Sequence, residues 1–261
     1  MLDEYQGSDP DRAGIFHPAG IANGMRGNDM RREDVVEIRK LELFRACADE
    51  TFDALVTAGF LQRFPPGVVL IQENEPSDFL YIVVEGLVEM FAGHAGRETT
   101  IGFVRPIGTF ILAAVLKDQV YLQSARTLEK SRMLMIPAAN VREAMQHDTA
   151  FMSAIVGELS TCYRNLVKEL KNQKLRTGTE RLANWLLRAN EKQGGSGMVE
   201  LGIGKRVLAS RLGMTPENLS RSFAALGPHG VVVNGPRIRI ADLETLRRFA
   251  RPSRLIDDLT S

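Results

Sequence analysis

Hydrophobic and polar positions change their period several times along the chain. Residues 1–32 are polar, rich in glycine and proline, and without a sustained apolar period, which predicts a mobile tail. Apolar residues then recur at helical spacing from Asp34 to Phe60. Between Phe64 and Pro137 short runs rich in β-branched and aromatic residues alternate with turn signals. We expect an antiparallel β-roll, with leading helices, over residues 33–137.

Four of the apolar runs are expected to be strands of this roll: 68–71, 79–84, 87–91 and 99–104. Further along, residues 126–129 are expected to pair with 132–136.

Residues 138–174 contain one glycine and no proline, and they predict a single long helix. Its apolar residues recur with alternating steps of three and four, as in a coiled-coil seam: Met152, Ile155, Leu159, Cys162 and Leu166. A second stripe runs beside the first: Val156, Tyr163, Val167 and Leu170. Two stripes favour one face on the β-roll and one on a twin helix, hence a homodimer. A helix buried only against its own domain is the alternative, and it needs one broad stripe.

Residues 175–261 predict a winged helix-turn-helix. A helix is expected over 181–189 and two more over 205–226, broken at Gly213-Met214-Thr215. Two β-rich runs follow with Asn234-Gly235 between them, which predicts a hairpin with a type I′ turn. The whole chain is therefore expected to be an α+β protein with an N-terminal β-roll, a long dimerisation helix and a C-terminal winged helix.

The second helix of the pair carries candidate chemistry at its N-terminus. Thr215 is a favourable N-cap and Pro216 suits the first helical position. The side chains that this exposed end projects are Glu217, Asn218, Ser220 and Arg221. Arginine can bond guanine with both arms, and glutamate can accept from cytosine N4. The alternative is that Glu217 only supports the helix dipole and pairs with Arg221.

The distribution of charge indicates a polyanionic partner, and a solvated basic face without a partner is the alternative. The net charge is +1, yet residues 176–261 hold 14 Lys and Arg against 8 Asp and Glu. An acidic front and a basic back predict that the back meets a polyanion, with double-stranded DNA as first candidate. The cations expected to grip phosphates are Lys205, Arg206, Arg237 and Arg239.

Several motifs resemble the cyclic-AMP receptor protein/fumarate–nitrate reduction regulator superfamily of bacterial transcription factors. They are Pro66-Gly67, Tyr81-Ile82-Val83-Val84-Glu85-Gly86, Arg181-Leu182-Ala183 and the run from Ala209 to Arg221. The resemblance covers nearly all of the chain after the tail. It implies a cyclic-nucleotide-binding-like β-roll, a dimer, DNA binding and RNA polymerase as a partner.

Within that family, Glu217-x-x-Ser220-Arg221 resembles the fumarate–nitrate type, which reads TTGAT-like half-sites. The Pro216-Glu217 pair resembles nitric-oxide regulators of the Dnr/NnrR group. The resemblance therefore implies a transcription regulator, an activator or a repressor, that answers a signal such as nitric oxide or low oxygen, with haem as a possible cofactor.

The sensor pocket departs from the cyclic-nucleotide pattern. Where the family has Gly-Glu for the ribose and Arg for the phosphate, this chain has Leu112 and Gln123. Neither side chain can replace those contacts, so cyclic AMP is not expected. The region is otherwise largely apolar, and plain core is the alternative to an effector pocket. The candidate pocket residues are Phe110, Leu112, Tyr121 and Gln123. Two cysteines, Cys47 and Cys162, exclude a four-thiolate iron–sulfur cluster built from this chain alone.

Two other function classes stay open. A β-roll metalloenzyme would need clustered histidines, and the roll offers only His94, so no catalytic residue is assigned and no enzyme is expected. A cyclic-nucleotide-binding regulatory protein would have no use for a basic winged helix. No run of about 18 apolar residues occurs, so we expect no membrane partner and a cytoplasmic location.

Overall fold

A computed structural model describes residues 31–258. These residues form two compact units, which are described separately. The first runs to Gly96 and resumes at Ile101–Leu159; the second contains Arg97–Thr100 and the chain from Ser160 onward. The predicted tail lies almost wholly outside the described residues. Among residues 31–258, no helix is long and apolar enough to cross a membrane.

The first unit is a β-roll preceded and followed by helices. Its leading helices are α1 (Arg32–Arg39), α2 (Glu42–Arg45) and α3 (Asp49–Ala58). The strands are β1 (Phe60–Phe64), β2 (Val69–Ile71), β3 (Phe79–Glu85), β4 (Val88–His94), β5 (Arg97–Val104), β6 (Gly108–Phe110), β7 (Ser124–Thr127) and β8 (Ser131–Pro137). The short helix α4 (Leu112–Lys117) lies between β6 and β7. Two four-stranded sheets result, in the orders β1-β8-β3-β6 and β2-β7-β4-β5.

Strand β3 is buried on both faces, and successive side chains alternate between two hydrophobic clusters. Leu80 and Ile82 belong to the cluster that packs against the helices. Tyr81 and Val83 belong to the cluster that fills the inside of the roll. This alternation follows from the period of two along a strand. Because both faces are apolar, the run shows no polar alternation and its sequence is continuously hydrophobic.

One expected strand pairing is wrong. Strand β7 pairs with β2 and β4, whereas β8 pairs with β1 and β3. The segment between them, which includes Glu129 and Lys130, therefore carries the chain from one sheet to the other. A short polar turn between two β-rich runs looks the same in sequence whether it closes a hairpin or changes sheets.

The predicted long helix is two helices, α5 (Ala138–His147) and α6 (Thr149–Leu175). Asp148 separates them with an extended backbone conformation. Its carboxylate accepts hydrogen bonds from the amides of Phe151 (2.9 Å) and Ala48 (2.8 Å). These bonds hold the pKa of Asp148 below its ordinary value. The carboxylate thus caps the start of α6 and fixes it to the start of α3.

The residues of the expected seam on α6 differ in their burial. Ile155 is fully buried in the helix-side core of its own unit, and Leu159 packs against that core. Met152, Cys162 and Leu166 are exposed. The large apolar side chains that α6 leaves in solvent are Met152, Val156, Tyr163, Leu166, Val167, Leu170 and Leu175. Residues from both expected stripes therefore form the exposed face.

The second unit contains the winged helix. After α6 come α7 (Gly178–Lys192), β9 (Met198–Glu200), α8 (Lys205–Arg211), α9 (Pro216–Ala225), β10 (Val231–Asn234), β11 (Arg237–Ile240), α10 (Leu243–Ala250) and α11 (Arg254–Asp257). Strands β10, β11 and β9 form an antiparallel sheet in that order. One apolar cluster joins α7, both helices of the predicted pair and the sheet.

The hairpin is present, but its turn is not the expected type. Asn234 pairs with Arg237, so the two loop residues are Gly235 and Pro236. Gly235 has a φ of +59°, whereas proline cannot adopt positive φ. A type I′ turn needs positive φ at both central positions and is therefore excluded; glycine in the first of them is the pattern of a type II′ turn.

Candidate nucleic-acid interface

The N-terminus of α9 is exposed and well capped. The hydroxyl of Thr215 accepts a hydrogen bond from the amide of Asn218 at 3.3 Å, and Pro216 occupies the first turn. Leu219 and Phe223 turn inward and join the core of the unit. The side chains left in solvent are those expected from the sequence: Glu217, Asn218, Ser220 and Arg221. One face of α9 is therefore buried in the core, and the opposite face is exposed to solvent.

Glu217 and Arg221 do not form the ion pair that their spacing allowed. Among the described residues, no salt bridge joins them. The pKa of Glu217 lies below its ordinary value mainly because of a hydrogen bond from its own amide and one from the Thr215 hydroxyl, with a smaller contribution from Arg221. The Ser220 hydroxyl donates to the carbonyl of Pro216. Arg221 thus lies close enough to the Glu217 carboxylate for a weak electrostatic attraction but forms no ion pair with it.

The predicted phosphate-binding cations are all exposed. Lys205 and Arg206 begin α8, and the Lys205 ammonium lies 6.0 Å from the centre of the Phe223 ring. Arg237 and Arg239 alternate along β11 with two buried isoleucines, so both guanidiniums point away from the core. Arg237 lies 4.0 Å from Glu200 on the neighbouring strand. These exposed pairs are weak and leave the cations available for a polyanion.

Arg181 is a residue whose part in the site the sequence does not show. Its side chain is buried and donates to the carbonyl of Leu212 at 2.8 Å, in the turn before α9. It also donates to the carbonyl of Arg176 at 2.7 Å, at the end of α6. Arg181 belongs to one of the motifs that resemble the family, but the sequence pattern around it does not predict these contacts. It joins the turn of the helix-turn-helix to the last residues of α6.

The turn itself is closely packed. Gly213 has a φ of +63°, a conformation that glycine adopts without strain. A Cβ atom added there would lie 2.7 Å from the Oε1 atom of Gln173 on α6. A residue with a side chain would therefore strain the backbone and push against Gln173.

The inside of the β-roll is filled by aromatic and methionine side chains. The rings of Tyr81 and Phe110 stack with centroids 5.3 Å apart. Burial raises the pKa of Tyr81 well above its ordinary value and raises the pKa of Tyr121 to about 12. A tyrosine is neutral at physiological pH even at its ordinary pKa, so the raised values report how deeply the two phenols are buried in this apolar cluster.

The predicted effector pocket is not one cluster. Phe110 and Tyr121 lie in the cluster inside the roll. Leu112 instead packs into the core beside the helices. Gln123 is half-buried just before β7. The structure thus brings together two of the four residues and separates Leu112 from them.

Metal-binding candidates do not converge in the described part of the chain. Residues 31–258 contain no group of three or more His, Cys, Asp or Glu side chains placed to hold a metal ion. Cys47 is buried, and burial raises the pKa of its thiol. Cys162 is exposed on α6.

Two domain families match this architecture. Residues 61–148 match the cyclic nucleotide-binding domain, and residues 180–249 match the Crp-like helix-turn-helix domain. The second match covers α8, α9 and both strands of the hairpin. The chain therefore contains a cyclic nucleotide-binding-like domain followed by a Crp-like helix-turn-helix domain.

Known proteins resemble this CRP-like chain over different lengths. A CRP-like cAMP-activated global transcriptional regulator of Mycobacterium tuberculosis is 24% identical over 194 residues, which are 72% of this chain and 87% of that protein. The potassium channel KOR2 of rice is 26% identical over 157 residues, 60% of this chain but only 21% of the channel. A solved structure from Silicibacter pomeroyi, named as a cAMP-binding regulatory protein, is 26% identical with a TM-score of 0.55 and covers 85% of this chain and all (100%) of that one.

We predict that Gly213→Ala destabilises the winged helix by about 1 kcal/mol or more, because alanine is strained at positive φ and its Cβ meets Gln173. Trp185 is the only tryptophan of the chain and packs against the core of this unit, so its fluorescence during urea unfolding reports the change. Gly202→Ala is the control, because nothing lies within 4 Å of its Cβ position. Equal midpoints for the two variants would contradict this account of the turn.

Proposed function

We propose that the protein is a homodimer that reads a TTGAT-like palindrome in DNA and regulates transcription from it. The observation that carries the proposal is the capped N-terminus of α9, where Glu217, Asn218, Ser220 and Arg221 stand exposed above a buried opposite face. A helix end of this kind enters the major groove and contacts base edges. RNA polymerase is the expected partner of the bound dimer.

In this proposal base reading and phosphate binding are divided between different residues. Arg221 stands on the exposed face of α9 and forms no salt bridge with Glu217, so its two-armed fork is available to a guanine. Arg237 and Arg239 lie on β11 of the wing, which is the hairpin of β10 and β11, and Lys205 and Arg206 lie at the start of α8. In the proposed complex these four cations contact the phosphate backbone of the DNA on either side of α9.

Replacement of Arg221 and Arg237 by alanine tests this division. Arg221→Ala is expected to cost about 1–3 kcal/mol on a TTGAT palindrome and to relax preference at one base pair of each half-site. Arg237→Ala is expected to weaken all duplexes about equally and to flatten the salt dependence by roughly one unit of slope for each phosphate that Arg237 neutralises. Both variants are titrated against the palindrome and a scrambled duplex over a salt series. Equal losses on both duplexes for Arg221→Ala would show that Arg221 holds phosphate and not a base.

The exposed apolar face of α6 supports the dimer. Tyr163 and Leu166 are 68% and 64% exposed, and Val156 and Leu170 are 56% exposed. These residues recur at helical spacing over about four turns, so they form one continuous stripe on the helix. Contiguous apolar surface of this kind marks an interaction site, and a twin helix offers the same stripe in return.

Leu166→Glu is expected to dissociate the dimer, because two carboxylates would face each other in an apolar seam. Sedimentation velocity at micromolar concentration without DNA measures the change. Asn165→Glu is the matched control, since Asn165 is also exposed and is the next residue to Leu166 on the same helix. A monomeric wild type, or dimers for both variants, would contradict dimerisation through this face.

For the signal we propose a molecule other than a cyclic nucleotide, such as nitric oxide. The M. tuberculosis relative is named as cAMP-activated. In this chain, however, the residues at the expected ribose and phosphate positions differ from the cyclic-nucleotide pattern. Leu112 is buried in the helix-side core, where it cannot accept a ribose hydroxyl proton, and Gln123 has no positive charge for a phosphate. The side chains packed around Tyr81 and Tyr121 are mainly apolar, which favours a small apolar ligand over a phosphate. Haem remains a prediction from the sequence.

Calorimetry with cyclic AMP and cyclic GMP is expected to show no binding at physiological concentrations. Gln123→Arg restores a cation at the expected phosphate position and is the comparison variant. Micromolar affinity of the wild type for either nucleotide would overturn the proposal, and an absorption spectrum of the same preparation with a Soret band would establish haem.

A further inference from the structure

The C-terminal helix α11 is fastened to the preceding helices by one carboxylate. Asp257 accepts two hydrogen bonds from the guanidinium of Arg176, at 2.8 and 2.6 Å. It accepts a third from Arg188 on α7 at 2.7 Å and a fourth from the amide of Ser253 at 2.7 Å. Arg176 follows the last residue of α6, so a single side chain near the end of the chain holds both sides of the α6–α7 joint.

This cluster is buried. The side chains of Arg176 and Asp257 are 7% and 11% exposed, and Asn172, whose amide oxygen accepts from Arg176, is 3% exposed. Burial alone would raise the pKa of Asp257. The hydrogen bonds from Arg176 and Ser253, with the charges of Arg176 and Arg188, hold that pKa below its ordinary value instead. The Asp257 carboxylate is therefore ionised, and each of its two oxygens accepts two hydrogen bonds.

Backbone contacts extend the attachment along α6. The ammonium of Lys168, a buried residue, donates to the carbonyl of Asp258 at 2.6 Å. About one turn further on, Lys171 lies 3.4 Å from the carbonyl of Leu255. The segment from Ser253 to Asp258 is thus attached along the last turns of α6 as well as to α7.

The same joint connects to the turn before α9. Arg181 donates to the carbonyl of Arg176 and to that of Leu212. Glu169 on α6 pairs with Arg211 at the end of α8, at 3.1 Å. The angle between α6 and the helix-turn-helix is therefore set by polar contacts on two sides: Arg181 and Glu169 on one, Asp257 on the other.

A buried ion pair of this kind adds less stability than apolar packing would, but its geometry is specific, and removing one partner leaves uncompensated charge. We propose that residues 253–258, called the clasp below, position the winged helix. Within the clasp, Asp257 is a positioning residue that fixes the direction of α9 relative to α6. Resting on the proposed function, this means that the clasp sets the spacing between the two half-sites that a dimer can bind. Asp257 itself does not touch DNA.

Spacing discrimination tests the clasp. The wild type is titrated against TTGAT palindromes with the optimal spacer and with one base pair added or removed. A rigid dimer must deform the DNA on the altered sites, so we expect affinity to fall by about tenfold or more. Asp257→Asn keeps the shape of the side chain but removes its charge. We expect it to reduce this discrimination to about threefold or less, chiefly by weakening the optimal site. A chain ending at Ser253 removes all of the clasp but its first residue and should behave in the same way.

Glu191→Gln is the matched control, because Glu191 lies in the same unit and pairs with Arg247 across an exposed 3.5 Å contact. It should retain wild-type discrimination. Hydrogen–deuterium exchange of residues 172–182 supplies a readout without DNA, and it should quicken in Asp257→Asn and not in Glu191→Gln.

The outcomes separate the two proposals. A wild type that binds no palindrome overturns the proposed function and the clasp with it. A wild type that discriminates spacing, with Asp257→Asn unchanged, overturns the clasp alone. Equal weakening of Asp257→Asn on every spacer would show that Asp257 serves only stability, which also overturns its positioning role.

Discussion

The guanidinium of Arg181 donates to the carbonyl oxygens of Leu212 and Arg176, and thereby joins the turn of the helix-turn-helix to the end of α6. Both carbonyls lie where regular helical bonding stops, so they need donors from elsewhere. One planar side chain with donors in several directions meets that need, which a lysine could not do in the same geometry. The exposed face of α9 has a defined direction because the turn before it is held in this way.

Local signals in the sequence correctly predicted α9 and its exposed N-terminus. Thr215, Pro216 and the alternation of Leu219 and Phe223 with polar residues act within one helix, so they need no knowledge of the rest of the fold. The same holds for the strands of the wing. The predicted turn type was wrong because the loop consists of Gly235 and Pro236 rather than Asn234 and Gly235, and Pro236 cannot adopt positive φ.

Predictions that depended on distant partners fared worse. Ile155 and Leu166 both belong to the predicted seam, yet Ile155 is buried and Leu166 is exposed. Periodicity shows which residues share a face, but not where along the helix the covering domain ends. Strand β7 likewise pairs with β2 and β4 rather than its neighbour β8, a choice made by the two-sheet topology. Arg181 and Asp257 bury their charges against residues far away in the sequence, and such contacts leave no local pattern.

Helix α6 performs three different tasks in succession, and its composition changes accordingly. At its start Phe151 and Ile155 enter a core; in its middle the apolar residues are exposed; at its end Lys168, Asn172 and the adjacent Arg176 are buried and polar. Apolar contacts tolerate small rotations, because they are non-directional. Hydrogen-bonded charges do not, since distance and angle both matter. An apolar middle can therefore accommodate a partner helix, whereas the polar end fixes residues 168–176 in one orientation against α7 and α11 of the same unit.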